Sequence, residues 1–342
     1  MEPREDTKPR DRGLEPLSPT WPAKIAALES RLGGEGRPRP FPPAWQAPND
    51  GGSPRIGVAA AYLATGGYRR AEAEAVPGAS GTVDTRLEHR AAERFPAAST
   101  LKVFVLQALL EAVAAGRHGL DEQRALREAE GVTGSGVLKL LTPGTKLSLL
   151  DLATLMITVS DNTATNMLID ALGMEAIMAS VTANGWSDTH LRGKLQQTPV
   201  AAGSKSSPTM TSPRDLADYF SRLWLGEFLP AELTSVAKGI YRRQQFTELG
   251  RSLDYDSYSA EIGDSDMLVA SKSGSIRGVR NDAGVIELNA TGTATAATAR
   301  EPRRYVVAIM TDGCPDRRFH ADNLGAVVVG EVAAAVLGEL AG

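Results

Sequence analysis

The chain has 342 residues, 42% of them hydrophobic and 23% charged, with a formal net charge of -4. That balance suits a globular protein with a sizeable core, built as one large domain or two close-packed subdomains. It offers no basic surface for a nucleic-acid backbone, and no stripe of Lys and Arg interleaved with aromatics occurs, so no nucleic-acid partner is expected.

Residues 1–20 are polar and Pro-rich and are expected to be a disordered tail. They lack the apolar run of a secretory signal, and the expectation from this is a cytoplasmic protein. Trp21 to Leu32 reads as an amphipathic helix through Ile25, Leu28 and Leu32, and Gly33 to Pro54 as a Gly- and Pro-rich linker. Ile56 to Ala64 and Thr82 to His89 read as strands around a Gly/Ala/Pro-rich excursion at 65–81.

Leu101 to Ala115 is apolar on nearly every face and marks a helix buried at the centre of the molecule. It is also the closest approach to a membrane span, but it is too short and is bracketed by Lys102 and Arg117, so no membrane partner is expected. Leu147 to Ser160, Thr163 to Leu172, Met174 to Asn184 and Pro213 to Leu225 carry helical periodicity, the last behind the start signal Ser212-Pro213-Arg214-Asp215. Met267 to Lys272, Asn281 to Leu288 and Tyr305 to Thr311 read as strands, and Ala321 to Leu340 as a closing helix. The implied α/β (α+β) architecture is a mixed or antiparallel sheet assembled from both chain ends (21–98 and 265–342), beside an all-helical subdomain (99–264).

Cys314 is the single cysteine. No intramolecular disulfide is possible, and Asp312-Gly313-Cys314-Pro315 reads as a turn holding an ordinary loop or core thiol. Four scattered histidines and one cysteine give no metal-ligand spacing, and no cofactor is expected.

Three short motifs carry the chemistry. Ser99-Thr100-Leu101-Lys102 stands at the start of the buried helix. The Ser99 N–H there is an unpaired donor at the positive end of the helix dipole, and Lys102 lies one turn on. A serine hydroxyl needs a neighbouring base to become a nucleophile, and burial suppresses the charge of a lysine so that it can serve. Ser160-Asp161-Asn162 occupies a junction between helices, where a hydroxyl and an amide can point into one cleft. Lys272-Ser273-Gly274 ends a predicted strand, where a cation and a hydroxyl suit a substrate carboxylate and glycine permits close backbone approach. Alone, each has an ordinary explanation: a cap with a snorkelling lysine, plain helix capping, and a chance tripeptide.

In type, order and approximate spacing the three motifs together resemble those of the class A β-lactamases and related penicillin-binding serine hydrolases. The resemblance extends through Leu87 to Pro96, Met156 to Val159, Thr211 to Asp215 and Asn281 to Ile286, and covers roughly Ile56 to Leu340, interrupted at 65–81 and 251–264. It implies that Ser99 is acylated, that Lys102 is its base or proton relay, and that Ser160 passes a proton to the leaving atom. Asn162 would bind the substrate's amide carbonyl. Lys272 and Ser273 would hold its carboxylate with Arg277 or Arg280, and the backbone N–H groups of Ser99 and Ser275 would form an oxyanion hole. The implied partner is a small molecule, a β-lactam or a related carboxylate-bearing amide or ester.

The chain departs from that family in one respect. Class A β-lactamases carry a deacylating glutamate in a Glu-x-x-Leu-Asn loop between the second and third motifs, whereas His190 to Gln197 here contains no carboxylate. Asp188 reads as structural, and Gln196 and Gln197 could orient a water without taking its proton. His190 also reads as structural, and Arg192 and Lys194 could close the loop by salt bridges. Acids in the 254–261 insertion are the nearest other source of a base, and they read first as surface residues. Slow turnover is expected, and three readings stay open: a β-lactamase-like hydrolase, an esterase, D-Ala-type peptidase or acyltransferase on the same scaffold, and a protein acylated once and held.

Overall fold

A computed structural model describes residues 21–32, 54–63, 86–195, 209–288 and 302–341. The expected tail, nearly all of the 33–54 linker, the excursion at 65–81 and Gln196 and Gln197 lie outside the described residues.

The N-terminal helix α1 (Trp21–Leu32) is followed by the strands β1 (Arg55–Tyr62) and β2 (Arg86–His89), then by the short β3 (Phe95–Pro96). A 3-10 turn over Ala98–Leu101 leads into α2 (Lys102–Ala114), and the short strands β4 (Gln123–Ala125) and β5 (Lys146–Ser148) precede α3 (Leu149–Thr158). Next come α4 (Asn162–Leu172), α5 (Met174–Ala183), the two-residue β6 (Met210–Thr211), α6 (Pro213–Leu225), α7 (Ala231–Tyr241) and α8 (Ser257–Glu261). The strands β7 (Met267–Ile276), β8 (Val279–Leu288) and β9 (Arg303–Asp312) and the helix α9 (Leu324–Ala341) complete the chain.

The main sheet runs β2-β1-β9-β8-β7, and every pairing in it is antiparallel. Alternate residues of a strand point to opposite faces. In β9 Tyr305, Val307 and Ile309 therefore join the core beneath α1 and α9, while Val306, Ala308 and Met310 join the core shared with the helical half. Both faces being covered is why β1, β8 and β9 read as near-continuous apolar runs rather than as clean alternation. Across the seam, Glu287 on β8 accepts from Trp224 Nε1 of α6 at 2.7 Å and from Arg242 Nη2, just past α7, at 2.9 and 3.1 Å.

The α9 helix has 18 residues and a mean hydropathy of 1.8, so by length and composition it, rather than the Leu101 to Ala115 segment, comes closest to a membrane span. Half of it is buried, against the sheet and α1, the position of a core helix. The insertion at 251–264 forms α8, with Asp256 capping it through the Tyr258 and Ser259 amides. Its Tyr255 packs on Gly250.

Candidate active site

The turn that carries Ser99 is wedged between strand and helix. Ala98, just before Ser99, takes φ +47°, an uncommon left-handed conformation for a residue with a side chain. The turn is held by Thr100, whose N–H and hydroxyl both donate to Ala97 O, at 3.1 and 2.7 Å. Gly274 lies against it: a Cβ there would stand 2.9 Å from Thr100 N and 3.0 Å from both Ala97 O and Ser99 N. The close approach expected of the third motif's glycine is thus what brings β7 against the serine. The motif lies inside β7 rather than at its end, because the strand continues through Ser275 and Ile276 in register with Arg280 and Val279.

The second motif is bent sharply between α3 and α4. Ser160 has φ +55°. Asp161 caps α4 by accepting from Ala164 N at 2.9 Å, and its second oxygen accepts from Val137 N and Leu138 N at 2.7 and 2.8 Å. This carboxylate therefore pins the 132–138 loop beside the site, where Gly134 leaves room for the Asn162 amide. Asn162 Nδ2 donates to Thr133 O at 3.0 Å.

Two lysines meet on one hydroxyl. Lys102 Nζ donates to Ser160 O (2.7 Å), Ser160 Oγ (3.0 Å) and Asn162 Oδ1 (2.9 Å). Lys272 Nζ reaches the same Ser160 Oγ at 3.1 Å and Ser273 O at 2.6 Å. Both lysines are 0% exposed. Burial, reinforced by the charge of Lys272, holds the Lys102 amine well below the ordinary lysine range, with Asp161 opposing in part. Burial brings Lys272 down to about 7, against the upward pull of Asp282. A hydroxyl oxygen that accepts from two amines keeps its own hydrogen free for a third partner.

In front of them opens a cavity of about 660 Å³ lined by Ser99, Ser160, Asn162, Ser273 and Ser275, together with Ser135 and several apolar residues. The two lysines lie behind this lining. Arg277 is exposed in the β7–β8 turn and is not part of the lining. Arg280 is buried and donates to Ile276 O and Val279 O, each at 2.7 Å, and to Arg318 O. Its guanidinium is thus occupied by backbone carbonyls.

No carboxylate is among the described residues lining the cavity. Asp188 accepts from Ser212 Oγ at 3.1 Å and its N–H donates to Asp215 Oδ2 at 2.9 Å, the structural position expected for it. His190 is exposed and pairs through its backbone with Met210. Lys194 pairs with Asp170. Among the described residues of the loop, Leu195 enters the cavity. Asn166 fixes it from α4: its Nδ2 donates to Leu195 O at 2.8 Å and its Oδ1 accepts from Leu195 N at 2.7 Å. Leu195, Asn166, Ser135, Phe246 and Phe319 lie outside the three motifs. The Gly134-Ser135-Gly136 run and the asparagine one turn after Asn162 were usable signals, whereas the two phenylalanines stand isolated in irregular segments.

A family model described as the β-lactamase enzyme family matches residues 79–340. Among solved structures, a β-lactamase from Sphaerobacter thermophilus is 26% identical, with a TM-score of 0.68 over 93% of this chain and 97% of that one. An acyl-enzyme complex of a PBP-A variant with penicillin G is 25% identical, with a TM-score of 0.61 over 91% of this chain and 96% of that one. A β-lactamase from Burkholderia phymatum, 23% identical with a TM-score of 0.66 over 93% and 97%, shares the fold.

Proposed function

Since the chain belongs to the β-lactamase enzyme family, we propose that it is a serine hydrolase that takes the acyl group of a β-lactam, or a related carboxylate-bearing amide or ester, onto Ser99 and releases it slowly. The convergence of Lys102 and Lys272 on Ser160 Oγ, directly behind a cavity lined by Ser99, carries this reading.

In the proposed mechanism Lys102 first gives up to solvent one of the three protons it donates, as its burial favours, and the neutral amine then accepts the Ser99 proton while Oγ attacks the carbonyl carbon. The N–H groups of Ser99 and Ser275 hold the developing oxyanion. As the carbon–nitrogen or carbon–oxygen bond breaks, the free hydrogen of Ser160 passes to the leaving atom, and the proton taken by Lys102 returns through the shared hydroxyl. Lys272 and Ser273 hold the substrate carboxylate, and Asn162 its acyl amide. The product is an ester on Ser99. Water must then attack that ester and give up a proton, and the described part of the loop presents Leu195 to the cavity. General-base assistance is worth about 100- to 10,000-fold, so its loss supports slow release. The PBP-A structure described as an acyl-enzyme with penicillin G supports the uptake half of the reaction in a related chain.

The absence of a carboxylate from the described lining also favours the reading in which an ester is turned over or the acyl group is simply held. A chromogenic cephalosporin and an aryl ester, each followed for turnover with the wild-type chain and Ser99→Ala, distinguish these. The proposal expects slow, Ser99-dependent cephalosporin turnover. Ester turnover alone would favour an esterase, and Ser99-independent turnover would overturn the assignment of the nucleophile.

A further inference from the structure

Phe246 and Phe319 are 61% and 65% exposed, yet both line the cavity that opens on Ser99. Single exposed apolar residues are ordinary on a protein surface. What distinguishes these two is that a buried polar side chain on β8 holds the segment that follows Phe246 and another faces the Phe319 ring. Asp282, wholly buried, accepts from Thr247 Oγ1 at 2.9 Å and from the Glu248 and Leu249 amides at 2.6 and 3.0 Å, fixing the segment that follows Phe246. The Arg280 guanidinium, tied to three backbone carbonyls, lies 5.0 Å from the centre of the Phe319 ring, a cation–π arrangement.

The register of the hairpin locates both rings. Asp282 stands opposite Ser273 and Arg280 opposite Ser275. The aromatic wall is therefore anchored at the level of the two serines at the carboxylate-holding end of the site. Ile276, next along β7, adds to the same lining. Lys272, behind the Ser160 and Ser273 part of the lining, and the apolar rings elsewhere on it suit a ligand that joins a carboxylate to a flat apolar group.

Resting on the acyl-transfer reading of this cavity, we propose that Phe246 and Phe319 determine specificity by holding an aromatic or similarly flat apolar group on the carboxylate-bearing part of the substrate. Small polar leaving portions would leave the wall wet and bind less well.

Binding tests this without any acyl transfer. Calorimetric titration of the wild-type chain at pH 6 with biphenyl-4-carboxylate and with lactate should show at least about tenfold tighter binding of the aryl acid. Phe246→Ala and Phe319→Ala, at positions exposed enough to leave the fold intact, should each reduce that preference about three- to tenfold. Tyr258→Ala, an exposed aromatic on α8 outside the cavity, should leave it unchanged. Equal binding of the two acids by the wild type, an unchanged preference in both Phe variants, or an equal loss in Tyr258→Ala would each overturn the inference. These outcomes are separate from failure of the proposed function, which would show as an absence of any Ser99 adduct.

Discussion

Lys102 and Lys272 need opposite protonation states to do their proposed work, although both are buried and both touch Ser160 Oγ. Lys102 serves as a base only as a neutral amine, so its contribution grows as pH rises through its strongly lowered pKa. Lys272 attracts a carboxylate only as a cation, so its contribution is present below about pH 7 and fades above it. Acylation by a carboxylate-bearing donor should therefore fall as pH rises past about 7, while a neutral aryl ester should lack the fall. Stopped-flow acylation rates between pH 5 and 9 read this directly, and a shared falling limb would contradict the role given to Lys272. At the loop, Leu195→Glu puts a carboxylate where the side chain enters the cavity. It should raise acyl-enzyme hydrolysis by about 100-fold or more, measured by single-turnover mass spectrometry. An unchanged rate would mean that a base elsewhere already serves. The sequence names Ser99 and Lys102 because their spacing is local. It is silent on Leu195 because that residue's place comes from a clamp supplied by Asn166 on α4.

The elements that carry the motifs were legible where caps and periodicity are local. The bounds of α6 follow from Ser212, Pro213 and the left-handed Gly226, and those of α1 from its buried face of Trp21, Ile25 and Leu32. The strand β7 runs past its expected end because Lys272, Ser273, Gly274 and Ser275 break the apolar pattern of a strand, while pairing with β8, a long-range property, continues it. The α7 helix carries no comparable mark: it has no side-chain cap and holds Thr234, Ser235 and Gly239 within its length. Gly274→Ala tests the wedge of β7 against the nucleophile turn. Its new Cβ would press on backbone atoms at 2.9 to 3.0 Å, which should cost about 1 to 3 kcal/mol of stability. Acylation should slow by more than the stability loss explains, because Ser99 N and Ser275 N would shift together. Chemical denaturation combined with acylation kinetics would separate the two effects, and a variant with wild-type kinetics would show that the contact is not needed for the oxyanion site.

At the scale of the whole molecule, the site is a seam between a sheet built from both chain ends and a helical half inserted between them. Ser99 and Lys102 come from the turn into α2, Ser160 and Asn162 from the α3–α4 bend, and Lys272 and Ser273 from β7. The sheet that carries β7 joins the two ends of the chain, Arg55 pairing with Asp312 and Tyr62 with Tyr305 between β1 and β9. This is why composition and local pattern set the fold class while only the joint order of the motifs pointed to the site. On the proposed reading the seam takes up an acyl group, and its described lining carries no carboxylate with which to let it go. Time-resolved intact mass after mixing with penicillin G is the most direct test. A stoichiometric mass gain equal to the whole drug is expected, located on Ser99, absent from Ser99→Ala and decaying slowly. No mass gain and no hydrolysis, or an adduct that persists in Ser99→Ala, would contradict it.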